Sequence, residues 1–128
     1  MKPHVQVGAA LIVQDGYYLI TQRNPGVHLG GFWEFPGGKR YDGESLEDCV
    51  AREILEELDI EVSRPVHFMT NHHEYLEKVV ELSFFKCSII SGVPKAVECA
   101  AFSWVKPENF SEFEFPPADI PVITMLQK

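Results

Sequence analysis

The chain has 128 residues, 45% of them hydrophobic, which is the size of one globular domain with a genuine core. Its 11 Lys and Arg against 19 Asp and Glu give a formal charge of −8, which excludes a basic surface gripping nucleic-acid polymers and leaves solubility as the plain reading of the acidity. A small anionic ligand must then be met by a metal or by a few placed cations.

Val5 to Val13 is apolar and β-branched and predicts a strand; Gln14-Asp15-Gly16 is turn chemistry leading into a second strand, Tyr17 to Gln22. Arg23-Asn24-Pro25-Gly26 ends this hairpin. The segment Gly30 to Gly38 mixes glycines and a proline with Phe32, Trp33 and Phe35, and reads as a shaped loop carrying stacking surfaces. Gly43 to Asp59 predicts a helix: Ser45 caps its start, Glu47 and Asp48 suit the helix dipole, and Leu46, Val50, Ile54 and Leu58 recur every four residues. Strands are expected at Glu61 to Thr70, Val79 to Ile90 and Ala100 to Val105, with a Gly92-Val93-Pro94 turn between the last two. Pro116-Pro117-Ala118-Asp119 reads as the start of a short terminal helix, Ile120 to Leu126. Neither a repeat nor a linker is visible.

Cys49, Cys87 and Cys99 are odd in number and widely separated, which speaks against a disulfide framework or a zinc ribbon and predicts buried thiols in a reducing cytosol. No apolar run approaches the roughly 18 residues that span a bilayer, so neither secretion nor a membrane anchor is expected.

On a helical wheel the predicted helix places Glu53 and Glu57 in the middle of its apolar face and Glu56 at the edge. A solvated acidic surface is the ordinary reading of a Glu-rich helix. Here the position argues otherwise, because like charges at these spacings on an apolar face repel and are costly to desolvate unless a cation neutralises them. Oxygen ligands without His or Cys favour Mg²⁺, with Mn²⁺ the alternative, over zinc. Gly37-Gly38 upstream can bring backbone close to a metal-bound phosphate.

The run Gly38-x5-Glu44-x7-Arg52-Glu53-Ile54-x-Glu56-Glu57-x-Asp59-Ile60 resembles the Nudix box, Gly-x5-Glu-x7-Arg-Glu-apolar-x-Glu-Glu-x-Gly-apolar. One fixed position departs: Asp59 replaces the final glycine, where a left-handed backbone is often wanted, and Asp tolerates that at a cost on the order of 1 kcal/mol. The resemblance implies a Nudix fold of the α/β class, an α/β/α sandwich around a mixed sheet, occupying the whole chain as a single domain. It implies that Glu53, Glu56, Glu57 and the Gly38 carbonyl hold divalent metal, that Arg52 orients a glutamate and that Glu44 braces the loop. Either Glu53 or Glu98, whose place resembles a distal metal-binding glutamate of the MutT branch, takes the proton of the attacking water. For Glu98 a solvent-facing loop acid is the plain alternative.

Flanking segments resemble MutT-type 8-oxo-dGTP diphosphatases: Gln22-Arg23, Trp33 to Lys39, and Phe115 to Ile123. By that resemblance Arg23, His28 and Lys39 neighbour the sugar or phosphates, Gly37 approaches the substrate, and Phe35 and Leu82 line the base pocket; plain core and a solvated His28 are the alternatives. The MutT type carries Asn where this chain has Asp119, and relatives that prefer CTP or modified cytidine nucleotides carry Asp. An ionised Asp only accepts hydrogen bonds, whereas one kept protonated by burial also donates; Asp before an apolar run is also a common helix cap. The expectation is cleavage of a nucleoside triphosphate to monophosphate and pyrophosphate, with 8-oxo-dGTP preferred and a cytidine-type substrate the alternative, in a cytoplasmic monomer, or else a dimer, without a nucleic-acid or membrane partner. A non-catalytic Nudix binding module is the reading from another class, and the complete set of box glutamates opposes it.

Overall fold

The computed structural model describes residues 1–128. The chain runs through β1 (His4–Gln14), β2 (Tyr17–Gln22), β3 (Trp33–Glu34), β4 (Gly37–Lys39), α1 (Leu46–Leu58), β5 (Glu61–Val62), β6 (Val66–Glu74), β7 (Val79–Cys87), β8 (Ile89–Ser91), β9 (Ala101–Val105) and α2 (Ile120–Leu126), with 3-10 turns at Pro107–Glu112 and Pro117–Asp119. Asp15 and Gly16 both sit at positive φ, 53° and 84°, the geometry that turns β1 tightly into β2.

The sheet has the order β3-β2-β1-β7-β6, with β4 also on β1 and β9 also on β2. β1 and β7 are parallel, His4 opposite Val79 and Ile12 opposite Cys87; the other pairs are antiparallel, so the sheet is mixed. Alternation along β1 sends its side chains to two cores. Ala9 and Leu11 join Phe35, Phe84, Phe110, Val122 and Ile123 on the α2 side; Ala10 and Ile12 join Val50, Ile54, Leu58 and Phe85 beneath α1. The architecture is therefore the expected α/β/α sandwich. Val50, Ile54 and Leu58 are fully buried, and at roughly 1.5–3 kcal/mol for each such side chain they fix α1 to the sheet.

Four expected boundaries differ. Glu61 to Thr70 is not one strand: Pro65, which has no N–H for a ladder, separates β5 from β6, and β6 continues to Glu74. Val79 to Ile90 likewise breaks at Ser88, and β5 pairs with β8 in a separate two-stranded ribbon. The Gly30 to Gly38 loop contains β3 and β4, held by pairing with β2 and β1 rather than by strand propensity. Helix α1 begins at Leu46, because Gly43 stands at φ 82° in the preceding turn and Ser45 is the cap. No helix is long and apolar enough to cross a membrane.

Candidate active site

Both ends of α1 are finished by their own residues. Ser45 accepts a hydrogen bond from the Asp48 N–H at 3.0 Å, and Asp59 closes the helix in the left-handed region, φ 56° and ψ 42°, its N–H donating to the Leu55 carbonyl. The pairing of β4 on β1 sets Gly8 opposite Gly38 and Ala9 opposite Gly37. That pairing presses the glycines between sheet and helix. A Cβ on Gly38 would stand 2.5 and 2.6 Å from the two Glu53 carboxylate oxygens, and one on Gly37 would reach 2.7 Å from the Ala9 Cα. The Cys49 thiol donates to the Gly38 carbonyl at 3.4 Å.

Arg52 organises the outer side of the helix. Its Nε donates to Glu44 Oε2 at 2.8 Å and its Nη2 to Glu44 Oε1 at 3.1 Å, while Nη1 donates to Glu53 Oε1 and Glu56 Oε1, both at 3.1 Å. Nη2 also donates to the Lys39 carbonyl, and the guanidinium carbon lies 3.7 Å from the centre of the Tyr41 ring. Hydrogen bonds from Arg52 and from the Tyr41 N–H hold the Glu44 carboxyl below the usual carboxylate range.

Inside this brace lies a cavity of about 230 Å³ bordered by Arg23, Asn24, Val27, Glu34, Gly37, Glu53, Glu57, Glu98 and Cys99. The last carbonyls of α1, left over by the helix, build one wall: Glu57 O accepts from the Val97 and Glu98 N–H groups, at 3.0 and 3.3 Å, and Leu58 O from Lys95 N–H at 2.9 Å. The Asn24 amide donates to the Glu98 carbonyl at 3.0 Å. Glu57 is 8% exposed, and its Oε2 is buried without a hydrogen-bond partner. Burial first, then the Glu34 and Glu53 charges, push its carboxyl up to about 9. Burial also raises Glu34, against the ion pair that Arg23 Nη1 makes with it at 3.2 Å.

No three acidic, His or Cys side chains stand at ligating distance from a common point. Arg52 instead engages Glu53 and Glu56. The donor set nevertheless fits a hard divalent cation: the carboxylates are oxygen donors, and the orphaned Glu57 oxygen is a buried acceptor awaiting a partner. Glu53, Glu57 and Glu98 face the cavity, with Glu34 as a further carboxylate; Glu56 lies outside its wall, in the pair with Arg52.

A second cavity, also about 230 Å³, adjoins the first through Arg23, Glu34 and Gly37. Phe35, Leu82, Val80, Ala9 and Ala118 give it apolar walls, and Arg23, His28, Lys39 and Lys78 add cationic or titratable groups. Phe35 stacks on Phe115 at 5.6 Å and meets the edges of Phe84 and Phe110. Asp119 is 5% exposed, and burial, followed by the Glu34 charge, pushes its carboxyl up to about 8. It makes no capping hydrogen bond to α2. Tyr75 borders the cavity and meets the His28 ring edge-on at 6.0 Å.

The structure thus gathers Arg23, His28, Phe35, Gly37, Gly38, Lys39, Leu82 and Asp119 around one cavity and Glu53, Glu57 and Glu98 around the other, leaving Glu44, Arg52 and Glu56 as a brace beside them. Sequence reasoning missed Glu34, Tyr75, Lys78, Asn24 and Cys99. Strand alternation was the signal for Glu34: Trp33 and Phe35 both enter the α2-side core, which turns the acid between them to the other face. Nothing local marks Tyr75 or Lys78, which flank the turn between β6 and β7.

The family model of the NUDIX domain matches residues 8–125. The chain belongs to the Nudix family. It is 33% identical to the CTP pyrophosphohydrolase of Escherichia coli (strain K12) over 119 residues, 93% of this chain and 88% of that one. It is 32% identical to the 8-oxo-dGTP diphosphatase of the same organism over 125 residues, 97% of each chain. The crystal structure of the MutT protein from Methanosarcina mazei Go1 superposes with a TM-score of 0.85 at 29% identity, covering 98% of this chain and 94% of that one. This Nudix chain is a hydrolase of the MutT type, and its mixed sheet with helices is that of the MutT structures.

Proposed function

We propose that this Nudix hydrolase cleaves a nucleoside triphosphate to the monophosphate and pyrophosphate, with 8-oxo-dGTP as its preferred substrate. The observation that carries the proposal is the buried Asp119 carboxyl in an apolar cavity that adjoins the carboxylate cavity. A carboxyl that keeps its proton at neutral pH both donates and accepts. Against 8-oxoguanine it donates to O6 and accepts from N7–H. Guanine offers acceptors at both positions, so one contact is lost and an acceptor faces an acceptor.

Phe35 and Leu82 enclose the base, while Arg23, Lys39 and Lys78 meet the phosphates. Glu53, Glu57 and Glu98, with backbone at Gly37 and Gly38, would hold Mg²⁺ or Mn²⁺. When bound, such an ion offsets the charge on the phosphates and polarises the water that attacks phosphorus. Glu53 is engaged by Arg52, whereas Glu98 borders the cavity without an ion-pair partner and would be the carboxylate to take a proton from the attacking water. By this reading the enzyme removes oxidised dGTP from the nucleotide pool before a polymerase uses it.

A cytidine nucleotide is the second reading. The same carboxyl pairs with cytosine N3 and its exocyclic amine, and one relative is named for CTP. Hydrolysis with Mg²⁺, read as pyrophosphate released from 8-oxo-dGTP, dGTP, CTP and 5-methyl-dCTP and as AMP released from ADP-ribose, at matched low concentration and with a chelator control, separates the two. Preference for 8-oxo-dGTP is expected; preference for CTP moves the enzyme to the second reading, and metal-dependent turnover of none of them removes the hydrolase assignment for these nucleotides.

A further inference from the structure

Asp119 is placed by the short 3-10 turn Pro117–Asp119 and by no side-chain cap. Its N–H donates to the Pro116 carbonyl at 3.0 Å, a local bond that closes the turn without tying it to the sheet. The tie comes from β6, where the Asn71 Nδ2 donates to the Ala118 carbonyl at 2.8 Å, the only side-chain hydrogen bond that joins the sheet to this turn. Asn71 stands opposite Leu82 in the β6–β7 ladder, and directly opposed residues share a face of the sheet. Leu82, Pro116, Ala118 and Asp119 all border the apolar cavity, whereas Asn71 stands behind that wall. General packing does not account for an amide there. Its Oδ1 is buried without a hydrogen-bond partner, a cost that an apolar side chain in the same row avoids. The donor half alone has a use, and that use is the Ala118 carbonyl.

We propose that Asn71 is a positioning residue for base selection: its amide pegs the Ala118 carbonyl to β6 and so fixes where the Asp119 carboxyl meets the edge of the base. This rests on the reading of Asp119 as the group that meets the base, and deepens it. One peptide unit joins the Ala118 carbonyl to the Asp119 Cα, so a carbonyl that swings away in search of another donor carries the carboxyl with it. A displaced carboxyl weakens its contacts with the matching base more than it affects a base that it matches poorly. The phosphates and the carboxylate cavity lie outside this connection, so the loss falls on recognition of the base and not on the chemical step.

The test compares kcat and KM for 8-oxo-dGTP, dGTP and CTP in the wild type, Asn71→Leu, Asn71→Ala, Asp119→Ala and the double variant Asn71→Leu/Asp119→Ala. Leucine keeps the volume of the side chain and alanine does not; both lose the donor. Each Asn71 variant should lower the preference for the best nucleotide over the others, as a ratio of kcat/KM values, by about tenfold. The change should lie in KM, with kcat held, and Asn71→Leu should add nothing once Asp119 is alanine. Thr70→Val is the comparison, because Thr70 stands opposite Ser83 on the other face of β6, with its Oγ1 2.8 Å from the Ser83 Oγ. It should lower the melting temperature and leave the preference as it was. An unchanged preference in both Asn71 variants, with Asp119→Ala still altering it, overturns the role of Asn71 and leaves the Asp119 reading standing. So does a fall in kcat that is equal for every nucleotide, which would make Asn71 a support of the fold alone. An unchanged preference in Asp119→Ala removes the Asp119 reading and this proposal with it.

Discussion

Arg52 and Glu44 form a two-pronged pair, with Nε and Nη2 donating to separate carboxylate oxygens at 2.8 and 3.1 Å. The fork matches the carboxylate plane and leaves Nη1 for Glu53 and Glu56, so one cation fixes the turn before α1 and offsets three acids. Lysine carries the charge without the fork. Arg52→Lys should therefore lower divalent-cation affinity and kcat/KM each by roughly 10–100-fold, with an unchanged far-ultraviolet circular dichroism spectrum. Wild-type Mn²⁺ affinity in that variant would show the brace to be dispensable.

Glu57 tests the cation site through stability. Its carboxyl, pushed up to about 9 by burial and by the neighbouring Glu34 and Glu53 charges, keeps its proton at neutral pH in the metal-free protein. Glutamine imitates that neutral form, so metal-free Glu57→Gln should melt at or above the wild-type temperature. Mg²⁺ at about 100 times its Kd should stabilise the wild type by about 2.7 kcal/mol and the variant by much less. Calorimetric melts with Mg²⁺ and with chelator read both quantities; equal stabilisation of the two proteins would remove Glu57 from the site.

Asp119 makes metal-free stability depend on pH. Its carboxyl titrates near 3.8 when unfolded and at about 8 when folded, so between those limits the folded state holds a proton that the unfolded state has lost. The stability contributed by that proton is complete below about pH 4, falls as pH rises towards about 8, and is gone above it. The amide introduced by Asp119→Asn does not titrate. The stability difference between wild type and this variant, measured by urea unfolding in chelator from about pH 4 to about pH 9, should move in favour of the variant as pH rises. A difference that stays flat with pH would mean that the carboxyl is ionised throughout.

Much of this was legible in the chain because helix α1 carries its own signals: the Ser45 cap, apolar residues every four positions, and acids set among them. The left-handed Asp59 could likewise be anticipated from the box position it occupies. What escaped was imposed from a distance. Gly37 and Gly38 have no strand propensity, yet they pair with Ala9 and Gly8 because β1 offers a free edge there. Pro65 was a visible strand breaker within an otherwise apolar run, and the break separates the short ribbon of β5 and β8 from the main sheet. Cys99 and Glu98 reach Glu57 only through hydrogen bonds to the end of α1, a relationship with no periodic trace in the sequence.

Gly38 separates steric from chemical roles in the loop. The Glu53 carboxylate leaves no room for a side chain there, and the added methyl of Gly38→Ala would meet both Glu53 oxygens. Either β4 withdraws from the helix or Glu53 leaves its place beside Arg52. Relief of such overpacking costs about 1–3 kcal/mol, so the variant should still fold. Hydrolysis should nonetheless fall by about 100-fold, since small displacements of positioning groups carry that penalty. Gly8→Ala serves as the comparison, because its methyl would meet Val50 at 2.9 Å, a side chain in the core beneath α1 and not one that borders either cavity. A comparable stability loss in both variants, with activity lost chiefly in Gly38→Ala, is the expected pattern; equal losses of activity would place the effect in loop packing and not in the position of Glu53.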